Sequence, residues 1–388
     1  MLLTALVIPV VFLVVSSQSN HNYSLTDFTN HIQHLKIQRS RNSCETSDSK
    51  EGECVKPSRC EQAKEKIDPT TAFDIRSSKC HYLLKCCPLD LIKKDTENII
   101  PEKQGNVGCG WSNPGASILR ATRDYADFGE FRWMVALLKT SSSPVWENSD
   151  YIGGGSLIHP SVVLTVAHYV SNKTPNMMKC RAGEWDTRTV QEAEEYQERN
   201  VKSIRIHPDF VAAHLFNDGA LLLLKKPFDF NYTSHIGVGC LGSELPPQDT
   251  LCFSMGWGKK EFKGDEYANV LKKVHLELVA KNECEQILRQ TRLSSKYYVH
   301  SSLTCARGLN GIDTCTGDGG SSLICPISGD GGTRYAIYGM VAYGIGCDSS
   351  YPGVYVNVPH MYEWIVATMK AESLDETAFK VLPDDEED

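Results

Sequence analysis

The stretch Cys315-Thr316-Gly317-Asp318-Gly319-Gly320-Ser321-Ser322-Leu323 crowds three glycines, a carboxylate and three hydroxyls into one short loop. A loop so poor in bulky side chains leaves its backbone N–H groups open. The chemistry that uses such groups is acyl transfer, in which they face the oxyanion that forms when an activated oxygen attacks a carbonyl. The other two residue types this chemistry needs lie upstream. An imidazole closes Leu164-Thr165-Val166-Ala167-His168, and a carboxylate sits in Asn217-Asp218-Gly219-Ala220-Leu221-Leu222.

Taken in this order, the three segments resemble the chymotrypsin family over roughly residues 120 to 370. In that family the third segment runs Cys, a variable residue, then Gly-Asp-Ser-Gly-Gly-Pro-Leu. The resemblance makes His168 the general base and Asp218 the carboxylate that orients it. It puts Gly319 where the nucleophilic serine belongs. Glycine has no side-chain oxygen, so the loop can form but the reaction cannot start. Substitution by Ser321 or Ser322 is not expected, because a displacement of about 1 Å already costs a factor on the order of a hundred.

Other family features are kept in part. Asp313 lies where trypsin-like members hold a carboxylate at the base of the specificity pocket, and Gly344 and Gly353 match the glycines that keep that pocket open. A carboxylate there would favour Lys or Arg through a charge-assisted hydrogen bond. The substrate-aligning Ser-Trp-Gly, however, reads Ala342-Tyr343-Gly344, so a vestigial pocket is expected. The family activates by cleavage before Ile-Val-Gly-Gly, whose new ammonium inserts beside the Asp preceding the serine. Here Asp318 is present, but Arg120 is followed by Ala121-Thr122-Arg123-Asp124. Burying that charged segment would gain little apolar contact. Cleavage after Arg120 or Arg123 is therefore expected to change the exposure of the preceding domain rather than assemble an oxyanion hole.

Fifteen cysteines point to an oxidising compartment and a disulfide framework. Six of them, Cys44, Cys54, Cys60, Cys80, Cys86 and Cys87, fall in a segment too small to fold on a hydrophobic core alone. The residues by themselves leave fifteen pairings open. Their spacing, ending in adjacent cysteines before Pro88, resembles the clip domain of arthropod serine proteases and their homologues. That resemblance implies Cys44 with Cys86, Cys54 with Cys80 and Cys60 with Cys87. For the larger domain it implies Cys252 with Cys325, Cys284 with Cys305, Cys315 with Cys347, and Cys109 with Cys240. The family's usual bridge beside the catalytic histidine is missing from both ends, where Tyr169 and Gly153 stand. Cys180 is left over, a buried reduced thiol or an intermolecular one.

The elements that must carry these residues read as β-rich. Short runs such as Ser161 to Thr165 and Ala220 to Leu224 are broken by Gly, Pro and Asn, and a single good amphipathic helix spans about His360 to Lys370. The expected fold is all-β, a chymotrypsin-like double β-barrel with a C-terminal helix, preceded by a small disulfide-rich clip domain. Residues 1–19 read as a signal peptide, 20–43 as a flexible arm, 44–87 as the clip, 88–119 as a linker, 120–370 as the protease-like domain and 371–388 as an acidic tail. The apolar run at the start is too short to span a bilayer, and no other run is long enough.

At net charge −8 the 388-residue chain has no basic stripe, and nothing suggests nucleic acid. Sequons begin at Asn22, Asn172 and Asn231. No cofactor is required, though Glu184, Asp186 and Glu194 lie in a segment resembling an acidic loop that holds calcium in some family members. The resemblance as a whole is to clip-domain serine protease homologues of the prophenoloxidase-activating-factor kind. It implies a secreted haemolymph protein that regulates melanisation in innate immunity without catalysis, binding clip-domain proteases, prophenoloxidase or other homologues, and open to oligomerisation after cleavage. The competing expectations are an active trypsin-like protease with an unorthodox nucleophile and a microbial-surface recognition protein.

Overall fold

Lys272-Lys273-Val274-His275-Leu276-Glu277-Leu278-Val279 alternates in sequence, and the structure, a computed structural model, makes it a strand whose Val274, Leu276 and Leu278 are buried while Lys273, His275 and Glu277 are not. That period of two is the strand's signature. The structure describes residues 43–45, 50–55, 80, 85–92, 108–112, 124–190, 192, 194–230, 233–259, 266–309, 311–327, 334–347 and 349–381. The chain divides into two units, Met1–Lys93 and Lys94–Asp388.

In the first unit β1 (Ser43–Glu45), β2 (Glu51–Val55) and β3 (Lys85–Pro88) form an antiparallel sheet in that order. Cys44–Cys86 and Cys54–Cys80 are bonded, and the core here is the cysteines themselves. Gly52 is required by this packing, since a Cβ would lie 2.6 Å from the Cys87 carbonyl oxygen and 3.0 Å from Cys86 Sγ. Cys87 is also disulfide-bonded, while Cys60, its expected partner, lies outside the described residues.

The second unit holds two six-stranded barrels. The first closes β4 (Met134–Lys139), β5 (Tyr151–His159), β6 (Val162–Thr165), β7 (Met178–Ala182), β8 (Gln197–Ile206) and β9 (Ala220–Leu224) in the order β4-β5-β6-β9-β8-β7. The remaining strands are β10 (Cys240–Leu241), β11 (Leu251–Gly256), β12 (Lys272–Val279), β13 (Leu303–Gly308), β14 (Ser322–Pro326), β15 (Tyr335–Tyr343) and β16 (Gly353–Asn357). They run β10-β15-β14-β11-β12-β13-β16, and the β15–β16 pairing closes the second barrel. Its core packs around the Cys252–Cys325 bridge with Val274, Leu276, Leu278, Leu323, Val341 and Tyr355. The bridges Cys109–Cys240, Cys284–Cys305 and Cys315–Cys347 are present as the resemblance implied.

Three expectations need correction. Besides the one-turn helix Ala167–Val170, a further helix is present, Lys281–Leu288, which buries Cys284 and Leu288. Its short length and polar composition hid it, and the disulfide to Cys305 helps hold it in place. The C-terminal helix is longer than expected, Val358–Ala371. It starts where Asn357 Oδ1 accepts the His360 N–H and Pro359 occupies the first turn. The chain also does not become a solvated tail at 371. Residues Glu376–Phe379 form a 3-10 turn, and Phe379 is fully buried against Tyr362 at 6.0 Å. Reading the segment by its charge overlooked one large aromatic residue. Among the described residues no helix is long and apolar enough to cross a membrane.

Candidate functional site: a protease cleft with its nucleophile position filled

Antiparallel pairing of β6 with β9 sets Thr165 opposite Ala220, so the residues just beyond Thr165 and just before Ala220 meet at one barrel end. His168 leaves β6 on the short helix Ala167–Val170. Its Nδ1 lies 2.6 Å from Asp218 Oδ2, and its backbone N–H donates to Asp218 Oδ1 at 2.8 Å. Asp218 is wholly buried, and burial raises its carboxyl while the two bonds from His168 oppose the rise. Gly219, next in sequence, must be small because a Cβ there would collide with Met361 of the C-terminal helix.

The third segment sits between the barrels. Gly319 carbonyl accepts the Gly154 N–H at 2.9 Å from β5, and Gly320 N–H donates to Val341 carbonyl at 2.9 Å on β15. Gly320, at φ +82°, leaves no room for a side chain, because a Cβ would collide with the Gly154 carbonyl. The loop around Gly319, where the resemblance implies a nucleophile, is thus held against β5 of the first barrel and β15 of the second.

What fills that place could not be read from the motifs. A Cβ at Gly319 would lie 2.5 Å from Tyr169 Oη and 2.7 Å from its Cε2 and Cζ, and a Cβ at Gly153 would collide with the same ring. Tyr169 and Gly153 are the two positions from which the family's disulfide is missing. The Tyr169 ring fills the side-chain space of Gly153 and Gly319 together. It packs edge-on to His168, with ring centroids 4.4 Å apart. Burial, followed by the charges of Asp318, Tyr267 and Asp218, pushes its hydroxyl up to about 12. The signal was present in sequence as Tyr169 next to His168, but its packing against Gly319 needed coordinates.

The two neighbouring hydroxyls are not substitutes in this arrangement. Ser321 is fully buried with its Oγ packed where a Cβ on Gly154 would collide with it, and Ser322 donates to Met255 Sδ at 3.2 Å.

Asp318 is already neutralised. Its Oδ1 accepts the Gly258 N–H at 2.8 Å, and its Oδ2 accepts the Cys315 N–H at 2.8 Å and Lys272 Nζ at 2.9 Å. A side-chain ammonium therefore takes the part that the resemblance gives to a new N-terminus, without requiring cleavage. Sequence reading missed Lys272 because it lies on a strand remote from both motifs. Arg120 and Arg123 lie outside the described residues.

In the pocket region Asp313 is 5 % exposed and its oxygens accept the Gly308 N–H at 2.9 Å and the Thr314 N–H at 2.7 Å. Burial pushes its carboxyl up to about 6 against those bonds. Gly353 opens β16 and Gly344 follows β15, while Tyr343 Oη meets Tyr297 Oη at 2.9 Å.

The three carboxylates considered for calcium are turned to different partners. Glu184 pairs with Arg181 at 2.7 Å, Asp186 with Arg188 at 3.1 Å, and Glu194 with His235 at 2.9 Å. Burial alone would raise Glu194, but the bonds from His235 and Ser234 outweigh it and hold its carboxyl down at about 2. Among the described residues, the only group of three such ligands close enough to share an ion is Cys44, Cys80 and Cys86, which are in disulfides. Cys180 is a free thiol at the centre of β7, fully buried, and burial pushes its pKa up. Of the sequons, Asn172 is exposed beside His168, while Asn22 and Asn231 lie outside the described residues.

Two closed barrels with a His–Asp pair and a glycine-rich loop between them define a trypsin-fold protein, and the trypsin family model matches residues 122–365. The chain is 44% identical to phenoloxidase-activating factor 2 of Galleria mellonella over 72% of its own length and 94% of that protein. It is 37% identical to the inactive CLIP domain-containing serine protease A8 of Anopheles gambiae, over 75% of this chain and 79% of the relative. A further Anopheles gambiae protein, inactive CLIP domain-containing serine protease A28, is 34% identical over 76% and 79%. The chain belongs to the clip-domain serine protease homologues of the trypsin family.

Proposed function

We propose that the chain is a non-catalytic member of this family, which acts by protein binding as a regulator of phenoloxidase activation in extracellular fluid. The observation that carries the reading is position 319, which offers no side-chain oxygen and whose side-chain space is occupied by Tyr169. With no nucleophile, His168 has nothing to deprotonate, and its bonds with Asp218 remain as packing contacts. The names of the relatives supply the cascade: one is a phenoloxidase-activating factor and others are inactive CLIP-domain proteases. Clip-domain proteases, prophenoloxidase or other homologues are the partners this reading assigns. Cleavage after Arg120 or Arg123 belongs to it as well. The Cys109–Cys240 bridge would keep the clip fragment attached after the cut, so the fragments are expected to separate on gels only with reductant.

The test is plasma reconstitution. Phenoloxidase activity is measured with the protein depleted, then with the cleaved chain restored after treatment with an organophosphorus serine reagent. The reading expects depletion to change the activity, the treated protein to reverse the change, and no label to be retained. Covalent label on Ser321, or loss of the restoring effect after treatment, would instead establish a working nucleophile.

A further inference from the structure

Beside His168 the first barrel opens a cavity of about 590 Å³, lined among others by Lys139, Tyr151, Tyr169, Lys173 and Met177. We infer that this cavity is a docking site for an acidic segment of a partner protein, with His168 reused as a polar contact. The inference rests on the reading above in taking the chain to act by binding, and it names where and by what chemistry.

The charge pattern carries it. In a chain of net charge −8, the cavity lining includes two lysines and a histidine and contains no Asp or Glu. Lys139 is exposed and forms no ion pair with any described residue, and Lys173 Nζ reaches only the neutral Asn172 Oδ1, at 3.4 Å. Neither cation pairs with a carboxylate among the described residues, unlike Lys272 and Lys179, which pair with Asp318 and Glu198. Nδ1 of His168 is committed to Asp218, while no described residue hydrogen-bonds Nε2. In a protease that nitrogen would serve the serine hydroxyl. Here Gly319 cannot use it, and Tyr169 forms the wall between the cavity and Gly319.

The remaining lining mixes neutral polar residues, Thr140, Ser141, Asn172 and Asn176, with apolar surface. Met177 is 53 % exposed, and Tyr151, Ile152 and Tyr169 present ring and aliphatic surface. An exposed sulfur-containing side chain beside unpaired cations suits a segment in which carboxylates flank an apolar residue. The volume falls in the range of cavities that enclose a few side chains, about 300 to 1,000 Å³. Two lysines with no acidic residue in the lining also disfavour basic ligands, so the cavity would select against the Lys or Arg segments that Asp313 was expected to favour.

The probe is a fluorescein-labelled hexapeptide with two acidic residues flanked by leucines, titrated into the full secreted chain, with its Asn/Gln counterpart as control. Anisotropy is expected to give a Kd below about 1 mM for the acidic peptide and binding at least about tenfold weaker, a loss of about 1.4 kcal/mol, for the amide. Lys139→Glu with Lys173→Glu is expected to weaken the acidic peptide by the same factor or more, with an unchanged melting temperature. Equal binding of both peptides, or binding indifferent to the two charge reversals, overturns the proposal. The titration is repeated in Asn172→Gln, which removes any glycan at the rim, and in a chain ending at Val381. Unchanged affinity in the shortened chain supports a partner segment. A gain of about tenfold there would make the chain's own acidic end the occupant and overturn it. Because no plasma is involved, failure of this titration leaves the reconstitution result standing, and the reverse also holds.

Discussion

The two sides of the cleft have diverged to different degrees. On the first barrel His168 and Asp218 keep a 2.6 Å contact and a backbone bond, whereas in the loop between the barrels Gly319 carries no side-chain hydroxyl and the space beside it is filled by Tyr169. The difference follows from what each group does when no reaction takes place. Asp218 is buried and its oxygens need donors, so removing His168 would leave a polar group unsatisfied. A serine hydroxyl at 319 satisfies no such requirement. Once it is gone, the space can be taken by an aromatic ring, which recovers apolar contact. Asp318, in the same loop, resembles Asp218 rather than Gly319. It is buried, and Lys272 compensates its charge.

The largest effect is therefore expected at Lys272. Its side chain and that of Asp318 are 12 % and 2 % exposed, so Lys272→Met leaves a buried carboxylate without its cation. The predicted loss in urea unfolding is about 3 kcal/mol. Adding Asp318→Asn should recover much of it, and a loss below about 0.5 kcal/mol would show that Lys272 is dispensable.

Gly319→Ser comes next. Its Cβ falls 2.5 Å from Tyr169 Oη, so the variant is expected to be less stable by about 1 to 3 kcal/mol. Tyr169→Ala in that background should relieve the clash, and the comparison is made by thermal unfolding. Equal stability of Gly319→Ser and the parent chain would mean that the ring does not fill the position.

A smaller effect concerns pH. Asp313 is raised to about 6 in the folded chain, so between its ordinary range near 4 and about 6 the folded state binds the proton that the unfolded state has already lost. This contribution is favourable at low pH and is lost as pH rises through 6. Asp313→Asn should flatten the fall in stability between pH 4 and 7 by about 2 kcal/mol or less. An unchanged slope would show that the carboxylate is not buried.

Much of this architecture was legible in the residues. The strand runs ending at Thr165 and spanning Ala220 to Leu224, the pairing of His168 with Asp218, and six of the expected disulfides stand in the structure. The strand runs are local patterns that one chain carries by itself, whereas the motif roles and the disulfide pairings came from the family resemblance. Contacts between distant segments were harder to see. Tyr169 against Gly319, Lys272 against Asp318, and the cluster of Lys139 and Lys173 beside His168 each join strands and loops far apart in sequence. The partners of the acidic residues Glu184, Asp186 and Glu194 were hidden for a related reason. Their charge is visible in sequence, but the Arg181, Arg188 and His235 partners that consume it come into place only on folding.

The most direct measurement is hydrolysis of a small arginyl ester by the purified, cleaved chain, run beside its His168→Ala variant. The account predicts that both give the uncatalysed rate. Turnover above that rate in the parent chain, abolished by His168→Ala, would contradict it.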